Sequence, residues 1–322
     1  MEQKKALNRK KLKVILVICI VMIVTAGVGL AAYIHHVDTV TLGRKVSVYR
    51  LDVSKLTVGE AQQEISEAFQ NKKAFIGFIT GGDPDLETTE KLIVAMAEAG
   101  ADLIEIGLPF SDPTAESAVI QAANIRALSG GCTTDKLFDT VRSVRRKVKV
   151  PMVFLTYMNP VYTYGKERFM GRCVECGIDG LLIPDLPFEE KGELKDVCEA
   201  HGVEILSFIA GGSKERIRRI AGEARGFLYV SVPAGVKKSD SQKMSDVRNT
   251  VKFIRESTDL PCAIGGGIET PEQARKMAEI SDGAIVESAV VKLVAEYGRD
   301  SVSRVADYVK MMKSAAAEIS AD

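Results

Sequence analysis

Two acidic residues in one short stretch of the chain have the types and the spacing to move a proton. Glu105 belongs to the apolar run Leu103–Gly107, which predicts a short buried strand, and Glu116 follows in a loop that contains Pro109 and Pro113. A carboxyl group at a strand end and a second one on a loop can act as a general acid/base pair. The same pattern also fits a strand-end acid bound by backbone N–H groups beside a solvent-exposed loop acid. The choice between these interpretations depends on the elements that carry the two acids.

From residue 63 onward the chain alternates short apolar runs with amphipathic segments. The apolar runs are nearly continuous, as in parallel strands buried on both faces, and segments such as Leu86–Ala99 and Lys166–Cys176 have a helical pattern. Eight such units in about 250 residues predict a (β/α)8 TIM barrel over residues 63–322. A doubly wound open sheet is the alternative, although no G-x-G-x-x-G motif follows the first run. The predicted strands are Ala74–Thr80, Leu103–Gly107, Met152–Thr156, Gly180–Pro184, Glu204–Phe208, Phe227–Val232, Cys262–Gly265 and Gly283–Val286.

A barrel of this kind predicts where the reactive groups meet. Its chemistry takes place on the loops at the carboxyl ends of the strands, where Glu105 and Glu116 would lie. The loops after the last two predicted strands contain Gly265–Gly267 and Glu287–Ser288. Glycine lets backbone N–H groups approach an anion closely, and barrels often bind phosphate at this position. We therefore expect a phosphate site there, with a simple turn as the alternative for the glycine run.

Composition excludes several other classes of protein. The 322 residues carry a formal net charge of zero, which disfavours nucleic acid as a partner. Three His and six Cys suggest neither a metal site nor a disulfide framework. Cys173 and Cys176 form a lone Cys-x-x-Cys in a predicted helix, and without a second pair a zinc or redox role is disfavoured. The sequence therefore predicts no metal and no cofactor.

The first 62 residues have a different character. Residues 1–13 form a basic tail, and residues 14–34 carry no charge. Since ~20 apolar residues span a bilayer and a signal peptide has a shorter apolar core, these residues predict a single uncleaved transmembrane helix. The excess of positive charge before it predicts a cytoplasmic N-terminus and a barrel anchored on the outer face. Residues 35–62 read as a linker, of which residues 46–61 resemble a segment of membrane-anchored cell-wall proteins.

Six motifs along the predicted barrel, in this order, belong to one family. They are Ile65–Phe75, Phe78–Pro84, Glu105–Pro113, Thr156–Pro160, Pro184–Pro187 and Ser281–Val286. Together they closely resemble the tryptophan synthase alpha subunit from about residue 63 to residue 318. The family cleaves indole-3-glycerol phosphate to indole and glyceraldehyde 3-phosphate by a retro-aldol reaction in tryptophan biosynthesis. The resemblance therefore implies a carbon–carbon lyase on a TIM barrel.

The resemblance also implies roles for individual residues. Glu105 matches the acid that transfers a proton at indole C3, and Glu116 matches the loop acid that takes the indole N–H proton. Tyr229 matches a tyrosine beside the substrate. The implied substrate-binding residues are Tyr157, Tyr229, Gly265, Gly267 and Ser288.

The family also implies a partner protein. Its members pass indole through a tunnel to a pyridoxal-phosphate-dependent beta subunit. Pro109, Asp112, Asn159 and Pro187 match positions at that contact, although each also fits a simple turn at a strand end.

Several loops depart from the family pattern, and these departures define the alternatives. Ser117-Ala118 replaces Gly-Pro after the loop acid, Lys237 and Lys238 replace Thr-Gly, and Glu287 replaces a glycine. We expect the Glu287 carboxylate to face the substrate phosphate and weaken its binding, unless Lys237 or Lys238 offsets the charge. The favoured hypothesis is an alpha-type lyase impaired by these loops. The alternatives are a membrane-anchored, non-catalytic barrel that acts as a binding or scaffold protein, and a different phosphate-handling barrel.

Overall fold

The computed structural model describes residues 64–70, 72–232 and 241–318. Within these ranges nine parallel strands form one sheet, in the spatial order fifth, fourth, third, second, first, ninth, eighth, seventh, sixth. The fifth and sixth strands stand at the two ends of this order but are separated in the chain by Leu206 alone, so the sheet curls into a nearly closed barrel. The strands are β1 (Ala74–Thr80), β2 (Leu103–Gly107), β3 (Met152–Leu155), β4 (Gly180–Leu182), β5 (Glu204–Ile205), β6 (Ser207–Ile209), β7 (Leu228–Ser231), β8 (Cys262–Gly265) and β9 (Gly283–Val286).

The predicted barrel is confirmed, with one difference in strand number. Four of the eight predicted strands have the predicted bounds, and three are shorter by one or two residues. The strand predicted over Glu204–Phe208 is instead divided into β5 and β6. The Leu206 N–H still donates to the Leu181 carbonyl of β4 at 2.8 Å, while β6 pairs with β7. The chain changes its pairing partner within one apolar run, which divides the strand.

Helices surround the sheet and have recognisable starts. The Asp85 carboxylate accepts the Thr88 N–H at 2.7 Å and caps the first long helix. Thr270 and Gln273 form a capping box at the start of another helix, and Pro271 occupies the first turn of that helix. The helices are α1 (Leu86–Glu98), α2 (Ala118–Ser129), α3 (Thr134–Arg145), α4 (Met158–Tyr164), α5 (Lys166–Cys176), α6 (Gly192–His201), α7 (Lys214–Gly222), α8 (Ser241–Arg255), α9 (Pro271–Ile280), α10 (Ser288–Tyr297) and α11 (Ser301–Ala317).

The core has two layers, and β2 contributes to both. Leu103 packs with strand residues such as Phe78 and Val153 inside the barrel. Ile104 and Ile106 pack in the second layer, between the sheet and the helices. Each buried side chain of this size stabilises the fold by ~1.5–3 kcal/mol. Because side chains alternate along a strand, Glu105 points to the inside of the barrel together with Leu103.

The predictions for the N-terminal segment lie outside the described residues. This applies to the basic tail 1–13, the transmembrane helix 14–34 and the linker 35–62. Among the described residues, none of the helices has the length and apolar character needed to cross a membrane.

Candidate active site

The carboxyl ends of the strands surround a cavity of about 310 Å³. Its wall includes Glu116 and Ser117 from the loop after β2, and Tyr229 from β7. The loops after β8 and β9 contribute Gly266, Gly267, Glu287 and Ser288. A larger cavity of about 710 Å³ lies between α6 and α7 and contains none of the predicted site residues. The smaller cavity is therefore the candidate active site.

Glu105 occupies the centre of β2, whereas the sequence predicted an acid at the strand end; it has no exposed surface and is not part of the cavity wall. Neither of its carboxyl oxygens has a hydrogen-bond partner among the described residues. Burial raises the pKa of Glu105 well above its ordinary value, and the charge of Glu287 raises it further. This environment favours the protonated acid, which can donate a proton.

Glu116 lies in the loop after β2 and is only half-buried. Burial raises the pKa of Glu116 to about 7, although the hydrogen bond from Asn124 lowers it. The Asn124 amide, on α2, donates to Glu116 Oε2 at 2.6 Å. A carboxyl group with this pKa can accept and return a proton near neutral pH.

Tyr157 supports the loop that carries Glu116. Its hydroxyl accepts the Ala115 backbone N–H at 3.1 Å, and its buried ring lies 5.4 Å from the ring of Phe110. Tyr157 is not part of the cavity wall. Its contacts therefore position the loop, and its predicted part in substrate binding stays a prediction.

Tyr229 and Gly265 form one packed unit in the barrel wall. A Cβ atom on Gly265 would lie 2.1 Å from the Tyr229 hydroxyl, so only glycine fits at this position. The ring of Phe208 packs against Tyr229 with a centroid distance of 5.1 Å. Tyr229 lines the cavity, whereas Gly265 makes room for this tyrosine and is not itself part of the cavity wall; their predicted contact with the substrate stays a prediction.

The loops after β8 and β9, next to this unit, have two features that favour an anion. Gly266 and Gly267 adopt φ angles of 104° and 70°, and a Cβ on Gly266 would lie 2.6 Å from the Val232 carbonyl oxygen. Ser288 begins α10, and its hydroxyl lies 3.1 Å from that of Ser117. The free N–H groups and the dipole at the start of a helix attract negative charge.

Glu287 has a contact that the sequence did not suggest. The Tyr229 hydroxyl donates to Glu287 Oε1 at 3.0 Å. Glu287 still lines the cavity, but its carboxyl group is bound to the barrel wall. Lys237 and Lys238, the predicted compensating charges, lie outside the described residues.

Sequence reasoning missed two residues of the site. Asn124 is buried on α2 among Ile120, Ala123 and Ala127, and a polar residue on an apolar helix face was the available signal. Phe208 lines the cavity, but it lies where the predicted strand is divided, and the sequence does not indicate to which face of the sheet its side chain points. No group of three or more His, Cys, Asp or Glu side chains in the described ranges could hold a metal ion.

The fold and the site together define a (β/α)8-barrel enzyme with a paired-carboxyl site.

A model of the family described as "Tryptophan synthase alpha chain" matches residues 65–319. Among curated proteins, the tryptophan synthase alpha chain of Lacticaseibacillus casei is 42% identical over 252 residues, which cover 78% of this chain and 95% of the relative. That of Lactiplantibacillus plantarum is 44% identical over 253 residues, covering 78% and 96%. The solved alpha chain from Legionella pneumophila superposes with a TM-score of 0.70 at 30% identity, covering 82% of this chain and 98% of that one. The chain belongs to the tryptophan synthase alpha chain family, whose members are lyases.

Proposed function

We propose that the barrel cleaves indole-3-glycerol phosphate to indole and glyceraldehyde 3-phosphate. The observation that carries this proposal is the contrast between its two acids. Glu105 is held in an environment that favours the protonated form, and Glu116 has a pKa of about 7 in the adjacent cavity wall. A retro-aldol cleavage on an indole ring needs this combination of an acid and a base.

Each acid has its own proton in the proposed reaction. Glu105 donates to C3 of the indole ring, while Glu116 accepts the ring N–H proton and returns it to nitrogen in the product. When the bond between C3 and the side chain breaks, the hydroxyl on the departing carbon gives its proton to the Glu105 carboxylate, which restores the acid, and the carbon becomes the aldehyde. In the overall balance, C3 gains one proton and that hydroxyl loses one.

The substrate phosphate would bind at the glycine-rich side of the cavity. At Gly267 no atom lies within 4 Å of where a Cβ would stand, and Ser288 begins α10. Backbone N–H groups and the helix dipole would hold the dianion. This arrangement would place the indole ring toward Tyr229 and Phe208.

The test is release of indole from indole-3-glycerol phosphate by the full chain, with and without a beta subunit. We expect release with the original chain and its loss in Glu105→Gln. Absence of indole under both conditions, with a folded protein, would refute the proposal and favour the non-catalytic binding or scaffold protein.

The partner in this proposal is a beta subunit at the carboxyl ends of the strands. Asp112 and Pro187 are exposed in the loops after β2 and β4, and Asn159 is exposed in the first turn of α4, which follows β3. An added beta subunit should bind here and increase indole release. Asp112→Lys and Asn159→Lys should weaken this increase and leave the rate of the isolated chain unchanged; an unchanged increase would exclude this face.

Anchoring in a membrane is a separate proposal that rests on sequence alone. Residues 14–34 carry no charge and follow a basic tail. They would hold the barrel at the membrane, on the outer face. A reporter of membrane topology fused to the C-terminus should read the outer face, and a cytoplasmic signal would overturn this orientation.

A further inference from the structure

Glu287 is a third carboxyl group at the site, in addition to the two acids of the proposed reaction. It directly follows β9 and lines the same cavity as Glu116. Its charge raises the pKa of Glu105, Glu116 and Tyr157, so its influence reaches the loops after β2 and β3 as well as β2 itself. The charge of Glu287 also raises the pKa of Tyr229 of β7, whose hydroxyl in turn lowers the pKa of Glu287.

The Tyr229 hydroxyl distinguishes Glu287 from Glu105. Tyr229 is close enough to both carboxyl groups for each charge to raise its pKa. A hydroxyl has one proton to donate, and this proton goes to Glu287 Oε1 at 3.0 Å. Neither carboxyl oxygen of Glu105 has a hydrogen-bond partner among the described residues.

This difference decides which of the two carboxyl groups ionises first. Donation of a hydrogen bond to a carboxylate stabilises its charged form, while burial without a donor favours the protonated form. Burial raises the pKa of Glu287 too, but the Tyr229 hydrogen bond lowers it. Two neighbouring carboxyl groups resist ionising together, so the first charge disfavours the second.

We propose that Glu287 is a positioning residue that binds the Tyr229 hydroxyl and carries the negative charge of the pair, so that Glu105 remains the acid that bears the proton. This inference rests on the proposed function, because it explains how Glu105 is ready to protonate carbon. It also gives Glu287 a role that does not depend on contact with the substrate phosphate.

Glu287→Gln removes the charge and keeps an oxygen that can accept from Tyr229. Without the neighbouring negative charge, the pKa of Glu105 falls, and Glu105 loses its proton at lower pH. The alkaline limb of the kcat profile should therefore move down by about one pH unit, which is about a tenfold loss of kcat on that side. KM should stay the same or fall, because a negative charge has left the cavity.

Two further variants separate this role from a general structural one. Tyr229→Phe removes the donor and should move the same limb in the same direction. Glu296→Gln removes an exposed carboxyl group near the other end of α10 and should leave the profile unchanged. An unchanged alkaline limb in both Glu287→Gln and Tyr229→Phe would overturn the proposal.

The protonated carboxyl group can also be observed without turnover. Infrared spectra of the full chain should contain the carbonyl band of a buried protonated carboxyl group, and this band should be absent in Glu105→Gln. Its titration midpoint should move to lower pH in Glu287→Gln. A band that persists in Glu105→Gln and disappears in Glu287→Gln would place the proton on Glu287 and refute the inference. If the chain releases no indole, the proposed function fails, but this titration still decides the role of Glu287.

Discussion

Glu105 and Glu116 belong to one continuous stretch of chain but to two different regions of the molecule. Glu105 is part of the barrel wall, where β2 pairs with β1 and β3 and every residue of the strand is buried. Glu116 lies in the following loop, which is held by side-chain hydrogen bonds that include those from Asn124 and to Tyr157. In the barrel wall Glu105 has no hydrogen-bond partner among the described residues, whereas in the loop Glu116 has one, Asn124. The comparison shows that the environment, and not the residue type, gives the two glutamates different surroundings, which suit them to the proposed roles of proton donor and base.

The largest expected effect comes from the wall acid. Glu105→Gln should lower kcat by about 10²–10⁴-fold, because it removes a general acid. Thermal stability should not fall, since neither carboxyl oxygen has a partner to lose. Steady-state indole release together with a thermal melt measures both. A variant with full activity would exclude Glu105 from the chemistry.

Gly265→Ala tests how rigid the wall is. The new methyl group would lie 2.1 Å from the Tyr229 hydroxyl, so Tyr229 must move away from Glu287. We expect a loss of about 1–3 kcal/mol in the free energy of unfolding, measured in denaturant. Gly171→Ala is the matched control, because a Cβ in that helix meets no atom within 4 Å. If the two variants are equally stable, Tyr229 can move aside without a loss in the free energy of unfolding.

Asn124→Ala changes the pKa of Glu116 without replacing Glu116 itself. The Asn124 amide lowers the pKa of Glu116, so its loss should raise this pKa above about 7. Less of the base is then ionised at pH 7, and kcat/KM there should fall by up to about tenfold, with recovery at higher pH. Asn249→Ala, on an exposed position of α8, should leave the profile unchanged. A loss of kcat/KM that is equal at every pH would contradict the role of Asn124 in setting the pKa of Glu116.

Tyr157→Phe should have the smallest effect. It removes the hydroxyl that accepts the Ala115 N–H, which contributes about 0.5–1.5 kcal/mol to holding the loop. Activity should fall by a few fold. Tyr162→Phe, at a half-exposed tyrosine, is the control and should change little. A loss as large as that of Glu105→Gln would assign Tyr157 a direct part in the reaction.

The fold could be predicted from sequence because its signal is local. Buried parallel strands are continuous apolar runs, and β1, β2, β8 and β9 have the predicted bounds. The division at Leu206 could not be predicted, because it depends on two different neighbouring strands. The apolar run itself is unbroken there.

The site was predictable only in part. Glu105 and Glu116 could be proposed from residue type and from their places within and after a predicted strand. The hydrogen bond between Tyr229 and Glu287 joins residues far apart in the chain, and no local pattern encodes it. For the same reason, the role of Gly265 as space for Tyr229 appears only once the strands are paired.

The pH dependence of kcat/KM for indole release tests the central claim most directly. The account predicts a bell-shaped profile in which the acidic limb lies near pH 7 and moves upward in Asn124→Ala, because Glu116 must be ionised. The alkaline limb reports loss of the proton from Glu105. An acidic limb near the ordinary glutamate value of 4.5, unchanged in Asn124→Ala, would contradict the account.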